Sequence, residues 1–321
     1  MLLCSKEQFS HSQEKKRSPH TTEMASKRVL ITGSSGLLGR DCLKAFLQDP
    51  EWDTLGLAFS RAGGNLKKVD LTDSQQLSET VRDFKPAVIL HSAAERRPDI
   101  VEKEEEKTAK LNVKSTQLLC DLAKEVGAYV LFISTDYVFD GTSPPYQPSA
   151  TPNPLNKYGL SKAEGERVVS QASSENVVLR VPILFGVVEK LDESAVTVLF
   201  SKVKDASKPA EMNHFERRYP TSCADLAKAI KVLADNRSKN PDLTGFFHWS
   251  GTEMMTKYDM AVAMAEVFGL PTSHIVADTK PASGAPRPFD CHLDSSRLEQ
   301  LGATERTPFR TAVKDALKNC L

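Results

Sequence analysis

A chain of 321 residues, 40% hydrophobic and 26% charged, has room for one large α/β domain with an appended lobe and for a sizeable core. Lysine plus arginine and aspartate plus glutamate cancel at 42 each, which excludes an overall basic field for collecting nucleic acid or an anionic membrane surface. No apolar run is long enough to span a bilayer as a helix.

Residues 1–26 are rich in Ser, Lys, His and Gln and carry no periodicity, so a disordered leader is expected there. Its apolar start, Met1-Leu2-Leu3-Cys4, is too short for a signal-peptide core. Glu7, Glu14 and Glu23 argue against a mitochondrial transit peptide. Arg28 to Thr32 is a short apolar β-rich run, followed at once by a glycine loop, Gly33 to Gly39. Leu38, Cys42, Ala45 and Phe46 then recur at helical spacing. Thr54 to Phe59 and Leu66 to Val69 are strand candidates, and Leu77, Val81 and Phe84 share one helix face. Ala87 to His91 is a fourth strand candidate. One long helix is predicted after it, with Leu111, Ser115, Leu118, Leu122 and Val126 in register and the charge run Glu102 to Lys107 as a solvated face at its start. Ala128 to Ser134 and Val177 to Val181 are the next buried strands. Between them lie a Pro-rich loop, Ser143 to Pro154, and a helix from about Leu155.

Strand and helix alternating so regularly specify the α/β class, with a Rossmann-type doubly wound parallel sheet over residues 27–182. After Pro182 the alternation stops. Val196/Leu199/Phe200/Val203, Leu226/Ile230/Leu233 and Met260/Met264/Val267 are helical stripes, with Gly245 to Trp249 a strand between two of them. Residues 183–321 are therefore expected to form a smaller C-terminal α/β lobe over the strand ends, facing a substrate or a partner and able to return the chain to the Rossmann domain. The methionines are read as core. The six cysteines, Cys4, Cys42, Cys120, Cys223, Cys291 and Cys320, show neither a CxxC pair nor a His cluster at metal-ligand spacing. No metal site is expected, and free thiols in a reducing compartment, the cytoplasm, are.

Gly33, Gly36 and Gly39 follow a strand and open a helix. In that context the first permits a tight turn, the second lets backbone approach a pyrophosphate, and the third lets the helix pack close to the sheet. The helix N-terminus adds unpaired N–H groups for phosphate. A dinucleotide site follows. NAD sites usually end the second strand on an acid that holds the ribose 2′-hydroxyl, but here the strand runs into Phe59-Ser60-Arg61. A guanidinium pairs with a 2′-phosphate, so NADP(H) is favoured as the cofactor.

Of six tyrosines only Tyr158 has a lysine, Lys162, four residues on, which sets both on one helix face. An ammonium beside a phenol is expected to lower the tyrosine pKa, suiting proton transfer to a carbonyl oxygen. Ser134-Thr135 ends the preceding strand, where a hydroxyl is placed to bond the same oxygen. Both Tyr158 and Lys162 could equally hold a nicotinamide ribose.

Together, Thr32-Gly-x-x-Gly-x-x-Gly39, Asp70-Leu71, Ala93-Ala94, Asn112, Ser134-Thr135 and Tyr158-x-x-x-Lys162 resemble the extended short-chain dehydrogenase/reductase superfamily over residues 28–315. Ser134 to Gly141 and Pro154 to Lys162 are similar to the dTDP-4-dehydrorhamnose reductase branch, which reduces a 4-keto sugar nucleotide with NAD(P)H. That resemblance implies a catalytic set of Thr135, Tyr158 and Lys162, with Thr135 assisting Tyr158 and Lys162 on the nicotinamide ribose.

A second group of segments is more similar to one offshoot, the regulatory β subunits of animal methionine adenosyltransferases. It comprises His91 to Asp99, Val188 to Val198, Phe247 to Gly251 with Met255 to Tyr258, and Gln300 to Gly302 leading to Arg306 to Arg310. Glu95-Arg96-Arg97-Pro98 discriminates best, because the reductases lack an Arg-Arg-Pro there. Such a subunit binds NADP and associates with the catalytic subunit that makes S-adenosylmethionine, without making the product itself. The resemblance implies nucleotide contacts at Ser35, Gly36, Leu37 and Leu38, Phe59, Ser60 and Arg61, Asp70 and Leu71, Ser92, Arg96, Tyr158, Lys162 and Leu184. Arg97 is open between a ligand and a surface ion-pair partner. Two features depart from that family, which has two arginines where this chain has Ser60-Arg61, and a hydrophobic and basic tail that engages the catalytic subunit. This sequence stops at Lys318-Asn-Cys-Leu321, which leaves open docking by another surface, or no complex. The alternative function is an NADPH-dependent reductase of a 4-keto sugar nucleotide.

Overall fold

The computed structural model of the protein describes residues 27–320; the expected leader, Cys4 included, lies outside the described residues. In chain order the Rossmann elements begin with β1 (Lys27–Thr32), α1 (Leu37–Leu47), β2 (Trp52–Ala58), β3 (Lys67–Lys68), α2 (Ser74–Phe84) and β4 (Val88–His91). They continue through α3 (Pro98–Val101), α4 (Glu105–Ala109), α5 (Ser115–Val126), β5 (Tyr129–Thr135), α6 (Lys157–Ala172) and β6 (Val177–Val181). The later elements are β7 (Leu184–Phe185), α7 (Leu199–Lys204), β8 (Ala210–Asn213), β9 (Thr221–Ser222), α8 (Cys223–Lys239) and β10 (Gly245–His248). Then come α9 (Lys257–Val267), β11 (Ile275–Asp278), α10 (Ser296–Glu299) and α11 (Phe309–Leu317).

Seven strands form one sheet in the order β10-β6-β5-β4-β1-β2-β3, every pairing parallel. This is the doubly wound sheet expected from the alternation, and its order reverses between β1 and β4. The glycine loop after β1 and Ala93-Ala94 after β4 flank that switch point. Strands buried on both faces read as unbroken apolar runs, and Val29 to Ile31 are accordingly fully buried. One face packs Val29, Ile31 and Val177 against Cys42 and Phe46 of α1 and Leu226 and Ile230 of α8. The other packs Leu30, Ile89 and Val130 against Leu77 of α2 and Leu119 of α5. The chain beyond Pro182 thus supplies both a cover helix, α8, and the edge strand β10.

The remaining C-terminal elements bury their own cluster, in which Phe185, Phe200, Met212, Met260, Met264 and Phe309 meet. Met260 and Met264 are fully buried, so the methionine stripe is core. Cys42, Cys120, Cys223 and Cys291 are buried free thiols, and Cys320 is partly exposed.

The long helix predicted after β4 is present, running without a gap through α4, a π-helical turn at Lys110–Lys114 and α5, but its start is corrected: α3 stands apart from it, and the turn at Lys110–Lys114 is not regular α-helix. The wider turn directs Asn112 inward, where its amide accepts from the Glu95 N–H at 2.9 Å and donates to the Glu95 carbonyl at 3.0 Å and to Ser161 Oγ at 3.2 Å. One polar side chain, carried on the π-turn, therefore ties the loop after β4 to α6. The charge run is not wholly solvated either, since the Glu102 carboxylate accepts from the Lys157 N–H at the start of α6 at 2.9 Å. That helix starts at Lys157, with Asn156 as its cap accepting from the Gly159 N–H at 2.8 Å.

Candidate functional site

The glycine loop is shaped by two positions that exclude a side chain. Gly33 has φ +70°, a left-handed conformation that favours glycine. A Cβ on Gly39 would lie 2.1 Å from the Gly33 carbonyl oxygen, so α1 reaches the loop only because residue 39 has none. The first turn of α1 contains no acid, which leaves the positive potential of the helix N-terminus uncancelled beside the loop. Beneath it, Thr32 Oγ1 bonds His91 Nδ1 at 2.8 Å, and His91 Nε2 bonds Thr116 Oγ1 at 2.9 Å. Burial, followed by the nearby Lys162 charge, holds that imidazole down at about 3, so it is a neutral structural link.

The loop opens on a cavity of about 440 Å³ at the strand ends. It is lined by Gly33, Ser35, Gly36, Leu37, Leu38 and Gly39, by Phe59, Ser60 and Arg61 after β2, and by Asp70 and Leu71 after β3. Ser92 and Arg96 after β4, Thr135 of β5, Tyr158 and Lys162 of α6, and Leu184 of β7 also line it. The structure therefore brings every candidate residue read from the sequence to one cavity. Several are already engaged. Ser92 Oγ donates to the Thr32 carbonyl at 2.7 Å, and the Asp70 carboxylate accepts from the Thr72 N–H at 2.8 Å and from its hydroxyl at 2.7 Å. Arg97 is a surface ion-pair partner: its guanidinium grips Glu95 at 2.9 and 2.8 Å, while Arg96 faces the cavity.

The Tyr158–Lys162 pair departs from expectation in its electrostatics. Burial pushes the Tyr158 phenol well above the usual tyrosine range, against the pull of the Thr135 hydroxyl. Lys162 is itself held down at about 7 by burial, partly opposed by Glu166, with its Nζ 3.8 Å from the centroid of the Phe132 ring. The lysine spacing is right, but loss of water costs the phenolate more than the Thr135 hydrogen bond and the Arg96 charge return. The expected lowering of the tyrosine does not occur.

Two further residues of the cavity, Asp136 and Tyr137, were not singled out by sequence reasoning. Burial pushes Asp136 up to about 6, opposed by Arg218 and by the Thr135 hydroxyl. The Tyr137 ring meets that of Tyr158 edge-on, 6.0 Å between centroids. Sequence reasoning singled out Val188 to Val198 for its family resemblance but not for its contacts at the cavity. Arg40, at the start of α1, donates to the Val187 carbonyl at 3.0 Å and to the Glu193 carboxylate at 2.6 Å. Arg61 pairs with Glu189 at 3.0 Å and with Glu193, and Arg96 donates to the Glu193 carbonyl. Three arginines, Arg40 of α1 and Arg61 and Arg96 of the loops after β2 and β4, thus hold one stretch of the C-terminal half. Its only sequence signal is the Val188 to Val198 similarity, which says nothing of where the acids point.

Among the described residues, no group of three or more His, Cys, Asp or Glu side chains is arranged to hold a metal ion. No described helix is long and apolar enough to cross a membrane.

Residues 27–321 match the family model of the RmlD substrate binding domain. The chain is 48% identical over 293 residues to the methionine adenosyltransferase 2 subunit beta of Mus musculus, covering 91% of this chain and 87% of that protein. The chain belongs to the methionine adenosyltransferase 2 beta-subunit family. A hypothetical dTDP-4-dehydrorhamnose reductase from Sulfolobus tokodaii has the same fold, with a TM-score of 0.76 and 29% identity over 88% of this chain and 98% of that one. The reductase from Bacillus anthracis, crystallised in complex with NADP, superposes with a TM-score of 0.78 at 24% identity, over 93% of this chain and all of that one. The difference between 48% and 29% identity sets this beta-subunit relative apart from the reductases whose architecture it shares.

Proposed function

We propose that this chain is a non-catalytic regulatory subunit of the cytoplasm that binds NADP(H) in the cavity at the strand ends and associates with a methionine adenosyltransferase catalytic subunit, modulating S-adenosylmethionine synthesis. The observation that carries this reading is the 48% identity to a beta subunit along 91% of the chain, against 29% to the Sulfolobus tokodaii reductase and 27% to that of Aggregatibacter actinomycetemcomitans. The cavity supports the nucleotide part. Its glycine loop and acid-free helix start suit the pyrophosphate, Arg61 is the guanidinium that a 2′-phosphate would draw from Glu189 and Glu193, and Asp70, Ser92, Tyr158 and Lys162 offer hydrogen bonds to base and ribose. With NADP(H) bound, a hydride donor would lie in the cavity, and Tyr158 and Lys162 offer hydrogen bonds to its ribose.

Co-expression with a methionine adenosyltransferase catalytic subunit, followed by sizing chromatography, tests the association. Co-elution is expected, and separate elution at micromolar concentrations would overturn it.

One observation favours a second reading, reduction of a 4-keto sugar nucleotide. Thr135, Tyr158 and Lys162 line the same cavity, as that chemistry requires. NADPH consumption across a panel of 4-keto sugar nucleotides tests it; nucleotide binding without turnover counts against it.

A further inference from the structure

The absence of an acid at the end of β2 argues for NADP(H), yet the fold delivers two acids to that place from elsewhere. Arg61 lines the cavity, and its Nη1 atom is shared by Glu189 and Glu193. Glu193 is not a loose surface acid. Its side chain is 10% exposed, and Arg40 bonds the same carboxylate at 2.6 Å. It also accepts from the Glu189 N–H at 3.3 Å. Burial works against its ionisation, but the hydrogen bonds from Arg40 and Arg61 outweigh that and hold it below the usual carboxylate range. The segment that carries it is anchored as well. Arg40 ties Val187 to the Ser35 carbonyl of the glycine loop through bonds of 3.0 Å each, and Ser194 Oγ donates to the Leu184 carbonyl at 2.7 Å.

We propose that Glu193 is the residue that sets the choice between NADP(H) and NAD(H) in this chain, acting as a fixed carboxylate that competes with a 2′-phosphate for Arg61. The inference rests on the reading of this cavity as a dinucleotide site. Two arginines, Arg40 and Arg61, face two carboxylates, Glu189 and Glu193, so the positive charge that a 2′-phosphate would use is already neutralised. Arg40 retains Glu193 when Arg61 turns to the phosphate, so the carboxylate stays to repel it. A ribose 2′-hydroxyl carries no charge and is spared that repulsion. The acid that discriminates between dinucleotides comes from the C-terminal half of the chain, not from the strand-end position.

Isothermal titration of the full chain with NADP⁺ and with NAD⁺ tests this, using wild type, Glu193→Gln and Glu189→Gln. Removing one fixed negative charge beside Arg61 is expected to tighten NADP⁺ binding about tenfold while moving NAD⁺ by less than about twofold. Glu189, whose side chain is 60% exposed, is expected to shift the ratio the same way by less. Its replacement touches no buried group, which guards against a folding defect in the first variant, and urea midpoints report any such defect directly. An unchanged ratio of the two affinities, or weaker NADP⁺ binding in Glu193→Gln, overturns the inference alone. Failure of wild type and both variants to bind either nucleotide overturns the dinucleotide reading, and the inference falls with it.

Discussion

Arg180 of β6 and Glu166 of α6 form a two-pronged ion pair, at 2.9 and 2.8 Å, with side chains only 2% and 3% exposed. Ser134 Oγ donates to the same carboxylate at 2.5 Å, and the Arg180 guanidinium lies between the rings of Phe139 and Phe246. The pair sits one helical turn beyond Lys162 and joins the strand to the helix that presents Tyr158. Removing one partner strands a buried charge, so Glu166→Ala or Arg180→Ala is expected to cost about 3–5 kcal/mol. The double replacement Glu166→Leu with Arg180→Met leaves no charge unpaired and is expected to cost less than either single change. Urea denaturation measures all three, and losses that simply add would sink this account.

Lys162 and Asp136 give stability two opposite slopes with pH. Lys162 is held at about 7 against an ordinary 10.5. Between those values the unfolded chain binds a proton that the folded chain does not, so its contribution rises with pH and is lost as pH falls through about 7. Asp136 is raised from 3.8 to about 6, so the folded chain holds the extra proton and its contribution is lost as pH rises through about 6. Urea midpoints against pH should show wild type gaining on Lys162→Met across the alkaline window and losing ground to Asp136→Asn across the acidic one. A flat difference in either comparison removes that group from the explanation.

Gly39 is expected to be the least replaceable residue of the loop. An alanine Cβ would meet the Gly33 carbonyl oxygen at 2.1 Å and the Gly33 carbonyl carbon at 2.7 Å, both backbone. Pushing α1 off the loop is expected to cost about 1–3 kcal/mol of stability in Gly39→Ala. It should also abolish measurable NADP⁺ binding while circular dichroism still shows a folded chain. Retained wild-type affinity would mean that the loop does not hold the phosphates.

The two adjacent arginines after β4 should separate cleanly. Arg97 is spent on Glu95 and its side chain is 57% exposed, so Arg97→Ala is expected to change NADP⁺ affinity by less than about threefold. Arg96 lines the cavity and donates to the Glu193 carbonyl. Arg96→Ala is expected to weaken binding by about tenfold or more, the usual worth of a hydrogen bond to a charged group. Titration calorimetry on both variants decides it, and a larger loss in Arg97→Ala would reverse the assignment.

The sheet, the glycine loop, the Tyr158–Lys162 spacing and the family were all legible from residue order, because each depends on near neighbours in the chain. Apolar periodicity reports what a strand or helix must bury, and a loop that needs a positive φ at Gly33 and no side chain at Gly39 declares itself in a few residues. The π-turn before α5 was not legible, since the partners of Asn112, the Glu95 backbone and Ser161, lie far from it in the chain. Burial decided the ionisation of Tyr158 and Lys162, and burial belongs to the assembled cavity. The ion pairs at Arg40 and Arg61 likewise join groups 153 and 132 residues apart. Coulomb attraction and desolvation act through space, so residue order determined which groups were available, and only the tertiary structure decided which of them meet.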